Sequence, residues 1–332
     1  MRLRTPRVST ATAVLALGSA LALGVAGPAA ASTATTFEVA LQTNGTTLWT
    51  VGSDGTVHNW NAGLAAGTSP SITTLGDGTY EAAIQTNTGD LWTLGPDTGA
   101  HNWNTGLAAD TSPSIAKLAD GTYEIAVQIN TGDLWTINSN GLVHNWGAGL
   151  AAGTSPSITA LVGGGYEVAA QTNTGDLWTF NSDGTVHNWN AGLAANTSPG
   201  ITGLADGSYE VAVQTNTGDL WTLGPDAGAH NWNTGLAAGT SPGITTLFGG
   251  AYEVAVQINT GDLWTINNDG AVHNWGAGLA AGTSPNITTL VDGTYEVAIQ
   301  TNTSDLWTIN SDGTVHNWNT GLAADSSPGI TA

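Results

Sequence analysis

Seven copies of His-Asn-Trp run through the chain, and together they hold every histidine it has. They are His58-Asn59-Trp60, His101-Asn102-Trp103, His144-Asn145-Trp146, His187-Asn188-Trp189, His230-Asn231-Trp232, His273-Asn274-Trp275 and His316-Asn317-Trp318, each 43 residues after the one before. In an extended strand alternate side chains share a face. Trp60 therefore stands with His58 and Thr56, while Asn59 and Asn61 point the other way. An indole plate beside an imidazole and a hydroxyl suits a sugar, whose ring offers a C–H face to stack and a rim of hydroxyls to hydrogen-bond. The same pattern fits an indole satisfied inside the fold with His58 as a structural donor. The residues alone leave both readings open. Gln42, Asn44 and the Asp-Gly turns add neutral donors and acceptors, and Thr68-Ser69-Pro70 lies in the longest loop, where binding groups collect.

A second tryptophan lies 11 residues upstream of each first one, at Trp49, Trp92, Trp135, Trp178, Trp221, Trp264 and Trp307. It sits in Leu-Trp-Thr, where Trp49 shares an apolar face with Val51, and packing between structural units is its expected role. Catalysis has little to work with: each repeat offers the same side chains, and no copy has an acid pair or nucleophile of its own. The chain is therefore not expected to be an enzyme. Glu38, Glu81, Glu124, Glu167, Glu210, Glu253 and Glu296 follow the aromatic that opens each repeat. A ring of carboxylates at a central channel would be able to hold calcium. No aspartate-rich calcium loop accompanies it, so neither a metal nor a cofactor is expected.

The elements that position these residues follow from the period. The repeat beginning at Tyr209 reads as four strands. Tyr209–Thr215 alternates; Leu220–Leu223 follows an Asn-Thr-Gly-Asp turn; Ala229–Asn233 follows a Pro-Asp-Ala-Gly turn; Ile244–Leu247 follows the long loop. The repeats begin near residues 37, 80, 123, 166, 209, 252 and 295. Four short strands per 43 residues fit a propeller blade, so the expected fold is all-β, a seven-bladed β-propeller with four antiparallel strands per blade. A β-solenoid is the competitor; its coils are shorter, and it needs caps that seven equal copies lack. Copies two and five share a proline turn (Pro96, Pro225), and copies three and six share His-Asn-Trp-Gly-Ala-Gly, as if a three-blade block had been duplicated.

Residues 1–31 read as a secretory signal, with Arg2, Arg4 and Arg7, an apolar run and Ala29-Ala30-Ala31 as a cleavage site. Residues 32–332 then form the propeller, and the protein is expected to be secreted. That cut removes three of the four basic residues and leaves Lys117 against 25 acidic ones. One cation cannot neutralise a phosphate backbone, which excludes ordinary nucleic-acid binding, and there is no basic patch for anionic lipid. No later segment is apolar for long enough to insert in a membrane. Neutral ligands are favoured over acidic ones. There is no cysteine, so disulfides and thiolate metal sites play no part.

The layout of an aromatic-opened strand, Asn-Thr-Gly-Asp-Leu-Trp-Thr, a glycine turn and a closing Ile-Thr-Thr-Leu-x-Asp-Gly-x-Tyr resembles the tandem repeats of secreted actinobacterial β-propeller proteins. It is also similar in outline to tachylectin-type and related propeller lectins. The resemblance covers the whole of residues 32–332. It implies sugar-binding clefts between neighbouring blades, and it carries over to the seven His-Asn-Trp sets as the ligand-binding residues. The fucose-binding propellers rely on an arginine, which this chain lacks beyond its first residues, so that mode of recognition is not expected. The sequence thus points to a secreted, calcium-independent lectin with multiple equivalent clefts for neutral glycans. An extracellular structural or protein-interaction scaffold is the alternative.

Overall fold

The computed structural model describes residues 36–332; the expected signal segment lies outside them. The described residues form twenty-eight strands, grouped as seven four-stranded antiparallel sheets. The protein is a seven-bladed β-propeller. Strands are numbered β1 to β28 in chain order. In blade 2 they lie in the order β4 (Ser71–Thr74), β5 (Tyr80–Gln85), β6 (Asp90–Gly95) and β7 (Gly99–Gly106). The short Ile-Thr strand is innermost and packs on its counterparts around the axis, while the His-Asn-Trp strand is outermost.

This order corrects the phase of the repeat. The Ile-Thr strand that ends each 43-residue unit does not join the three strands before it; it is the inner strand of the next blade. Blade 1 is therefore closed by both ends of the described chain. β1 (Glu38–Gln42), β2 (Thr47–Gly52) and β3 (Val57–Gly63) receive β28 (Gly329–Thr331), with Glu38 opposite Thr331, Val39 opposite Ile330 and Ala40 opposite Gly329.

Each blade is covered on both faces by its neighbours, so its second strand is buried along nearly its whole length rather than on alternate residues, as in Tyr209–Gln214. Between blades 1 and 2 lie Ala40, Leu48, Leu64, Ile72, Ala82, Ile84 and Leu94, with Trp60, Tyr80 and Trp92 at the margin. At Gly63 the two blades approach closely. Its carbonyl accepts the Asn87 N–H at 3.1 Å, and a Cβ there would lie 2.9 Å from the Asn87 amide nitrogen. Any larger residue there would have to displace the Asn87 side chain.

At the axis, Ser69, Ser112, Ser155, Ser198, Ser241, Ser284 and Ser327 form a closed ring. The backbone N–H of each donates to the hydroxyl of the next at 2.8–2.9 Å, and Ser327 returns to Ser69. Five of these serines and the prolines that follow all seven line the central channel, a cavity of about 280 Å³. The glutamates that open each repeat do not line it. Glu38 and its counterparts stand on the second strand of each blade, one layer out, and face the next blade. Among the described residues no three His, Asp or Glu side chains converge as a metal set would.

Candidate functional site

The outer strand is bent by a bulge between Thr47 and Trp49 on one side and Asn59 and Gly63 on the other, with Asn61 in the left-handed region at φ 50°. Asn59 makes this turn, its side-chain oxygen accepting the Asn61 N–H at 2.8 Å. The same bond recurs from residue 104, 147, 190, 233, 276 or 319 to the Asn two positions earlier. The structure thus divides the predicted triad. His58 and Trp60 face blade 2, whereas Asn59 is paired with Trp49 and shares its face toward blade 7.

Trp60 is half-buried and His58 exposed. Their rings lie 4.4 Å apart at 60°. The other six pairs repeat this at 4.1–4.7 Å. Beneath them is a polar floor. The Trp60 Nε1–H donates to the Thr50 hydroxyl at 3.3 Å, and that hydroxyl also meets the Tyr80 hydroxyl of blade 2 at 2.8 Å. Tyr80 presents its edge to Trp60, with centroids 6.4 Å apart. The indole N–H is therefore satisfied inside the fold, and what Trp60 offers a ligand is its ring.

Glu38 completes the cleft. Burial raises its carboxyl to about 7 against the hydrogen bonds of Thr50 and Tyr80 that favour the charged form. Asp54, in the turn before His58, is held below its usual range by hydrogen bonds from Thr56. Glu38, Asp54, His58, Trp60, Tyr80 and Pro96 line a cleft of about 510 Å³ between blades 1 and 2. Of these, Tyr80 and Thr50 escaped the sequence reading as site residues. Their signal was the constancy of a Tyr opener and a Leu-Trp-Thr, which say nothing of each other until strand order sets them together. The seventh interface departs from the plan, because Phe37 stands where the others have Tyr and packs edge-on to Trp318 at 6.4 Å.

The second tryptophan packs between blades as expected. Trp92 and Trp135 lie against the cores of their interfaces. The opposite end of an interface also opens: Trp146 and Trp178 flank Asn173 around a cavity of about 290 Å³. In six copies the Nε1 of this tryptophan is buried without a partner; in the first, Trp49 donates to Thr47 at 3.1 Å.

Fold and site together define a propeller with aromatic, hydroxyl-lined clefts between its blades. No family model and no curated protein matches the chain. Among solved structures it is similar to the virginiamycin B lyase of Staphylococcus aureus, at 14% identity over 80% of this chain and 96% of that one, TM-score 0.54. It is similar also to the fucose-specific lectin of Aleuria aurantia, at 11% over 77% and 96%, TM-score 0.56. SapL1 lectin, solved with alpha methyl fucoside, matches at 11% over 80% and 98%, TM-score 0.58. At these identities the likeness is one of fold.

Proposed function

We propose that the protein is a carbohydrate-binding propeller, a secreted and non-enzymatic lectin for neutral glycans that works without calcium. The observation that carries this reading is the wall formed by His58, Trp60 and Tyr80 above the buried Thr50 hydroxyl and the Glu38 carboxyl. It combines a surface for the C–H face of a sugar with acceptors and donors at its foot. Propeller lectins among the structural neighbours, one described as fucose-specific and one solved with a fucoside, support sugar as the ligand class. The absence of arginine from the described residues supports a different mode of recognition. Weak single sites on one ring gain by joint occupancy of a polymer or cell surface, by roughly 10²–10⁴ in avidity.

A glycan and polysaccharide array, probed with the purified protein with and without chelator, tests the proposal. Selective binding to neutral sugars, unchanged by chelator, is the expected result. Silence across the array removes this reading and leaves the scaffold alternative.

A further inference from the structure

Seven repeats that read alike do not build seven like clefts. In blades 3, 4, 6 and 7 an asparagine follows the Leu-Trp-Thr strand. The side-chain amides of Asn138, Asn181, Asn267 and Asn310 donate to the glutamates Glu124, Glu167, Glu253 and Glu296 at 2.7–3.2 Å. In blades 1, 2 and 5 the same position holds Gly52, Gly95 or Gly224. The glutamate moves into the room this leaves: Oε2 of Glu38 lies 2.9 Å from where a Cβ on Gly52 would be, and Glu81 and Glu210 come closer still to Gly95 and Gly224.

Blade 2 then covers its glutamate in another way, for the Thr98 hydroxyl donates to Glu81 Oε2 at 2.7 Å. Blade 5 has the same proline turn but carries Ala227 in place of that threonine. Two carboxyls are thus left uncovered by any amide or turn hydroxyl, Glu38 and Glu210. Both line open clefts. That of Glu38 measures about 510 Å³. That of Glu210, with Asp226, Tyr252 and Asn268, measures about 310 Å³. Glu210 is 2% exposed; its Oε1, like that of Glu81, has no hydrogen-bond partner, but only Glu81 has its other oxygen taken by a turn hydroxyl.

Building on the carbohydrate-binding reading, we infer that ligand is taken at two of the seven clefts, where Glu38 or Glu210 meets adjacent hydroxyls of a neutral saturated ring. The two oxygens of a carboxyl are spaced to engage two neighbouring hydroxyls at once. Where an asparagine or Thr98 already occupies one oxygen, that paired contact is lost. A buried acceptor without a partner gains more from a ligand hydroxyl than a satisfied one does.

The test uses the methyl glycosides of glucose, galactose, mannose and xylose. Calorimetry and native mass spectrometry give the number bound, and co-crystals give the place. The expected number is two for the unaltered protein, three for Thr98→Ala, one for Ala227→Thr, one for Gly52→Asn and none for the last two combined. Each change gives a blade a side chain that a sibling blade carries, and thermal melts confirm that each variant folds. Equal occupancy of all seven clefts, or a number that the variants leave unchanged, overturns this inference while the carbohydrate reading stands. Failure of every glycoside to bind while the array shows bound polysaccharide overturns this inference alone; silence in both overturns both.

Discussion

Thr50 has one hydroxyl, fully buried; it accepts from the Trp60 indole and shares a hydrogen bond with the Tyr80 phenol. Thr50→Val keeps the shape and removes the acceptor. Stranding a buried donor costs about 1–3 kcal/mol, so the melting temperature should fall by a few degrees while the β-sheet circular dichroism is unchanged. An unaltered melt would show that the hydroxyl is not the joint between these blades. The glutamates act in the opposite sense. Their carboxyls are raised by burial, to about 7 for Glu38 and Glu210, so folding favours the protonated form. That stability is full below the ordinary carboxylate range and is lost as pH rises through about 7. Melting temperatures should therefore be higher at pH 5 than at pH 8. Glu210→Gln, which keeps a neutral group at every pH, should flatten part of that slope; a slope equally steep in the variant would place its origin in general charge repulsion.

At the scale of the element, one tight spot is Gly321, where a Cβ would lie 2.5 Å from the Asn44 amide nitrogen of the next blade. Gly321→Ala should push blades 7 and 1 apart and lower the melting temperature. Gly321→Ala combined with Asn44→Ala should recover much of the loss, because the second change removes the obstacle. The strands themselves were legible, since turn residues and alternating apolar positions recur seven times. The blades were not, because a periodic sequence has no natural starting point. Tyr209 to Leu247 looks like a unit, yet Ile244 belongs inside blade 6, and only pairing across the repeat boundary reveals it. The same ambiguity left open a carboxylate ring at the channel, whereas Glu38 stands one strand out. His58 and Trp60 were correctly set on one face by strand alternation. Asn59 joined them only by resemblance, and its bond to the left-handed Asn61 commits it to the bulge.

Across the whole molecule the inner strands are tied by the serine ring, which no single blade can complete. Ser69→Ala removes the acceptor for the Ser327 N–H at the interface where the chain closes on itself. It should cost about 1 kcal/mol, read as a lower denaturant midpoint. The equivalent Ser198→Ala lies at an interface formed by continuous chain, where separation of the blades is resisted by the connecting loop. Blades 1 and 2 are also joined by continuous chain, so the difference lies in the bond itself: Ser69 holds the end of the chain to its start, 258 residues apart, and Ser198 only links neighbours 43 residues apart. Ser198→Ala should be tolerated better, and equal losses at the two sites would argue that closure has no special weakness.

The three residues of β28 also set an order of events. Blade 1 has its first three strands near the beginning of the chain and its inner strand at the far end, so it remains unfinished until everything between has been made. Any partial product of synthesis carries a bare edge on β1, the kind of edge that recruits foreign strands or draws proteases. Sealing of that edge therefore waits on the synthesis of β28, the strand that pairs with it.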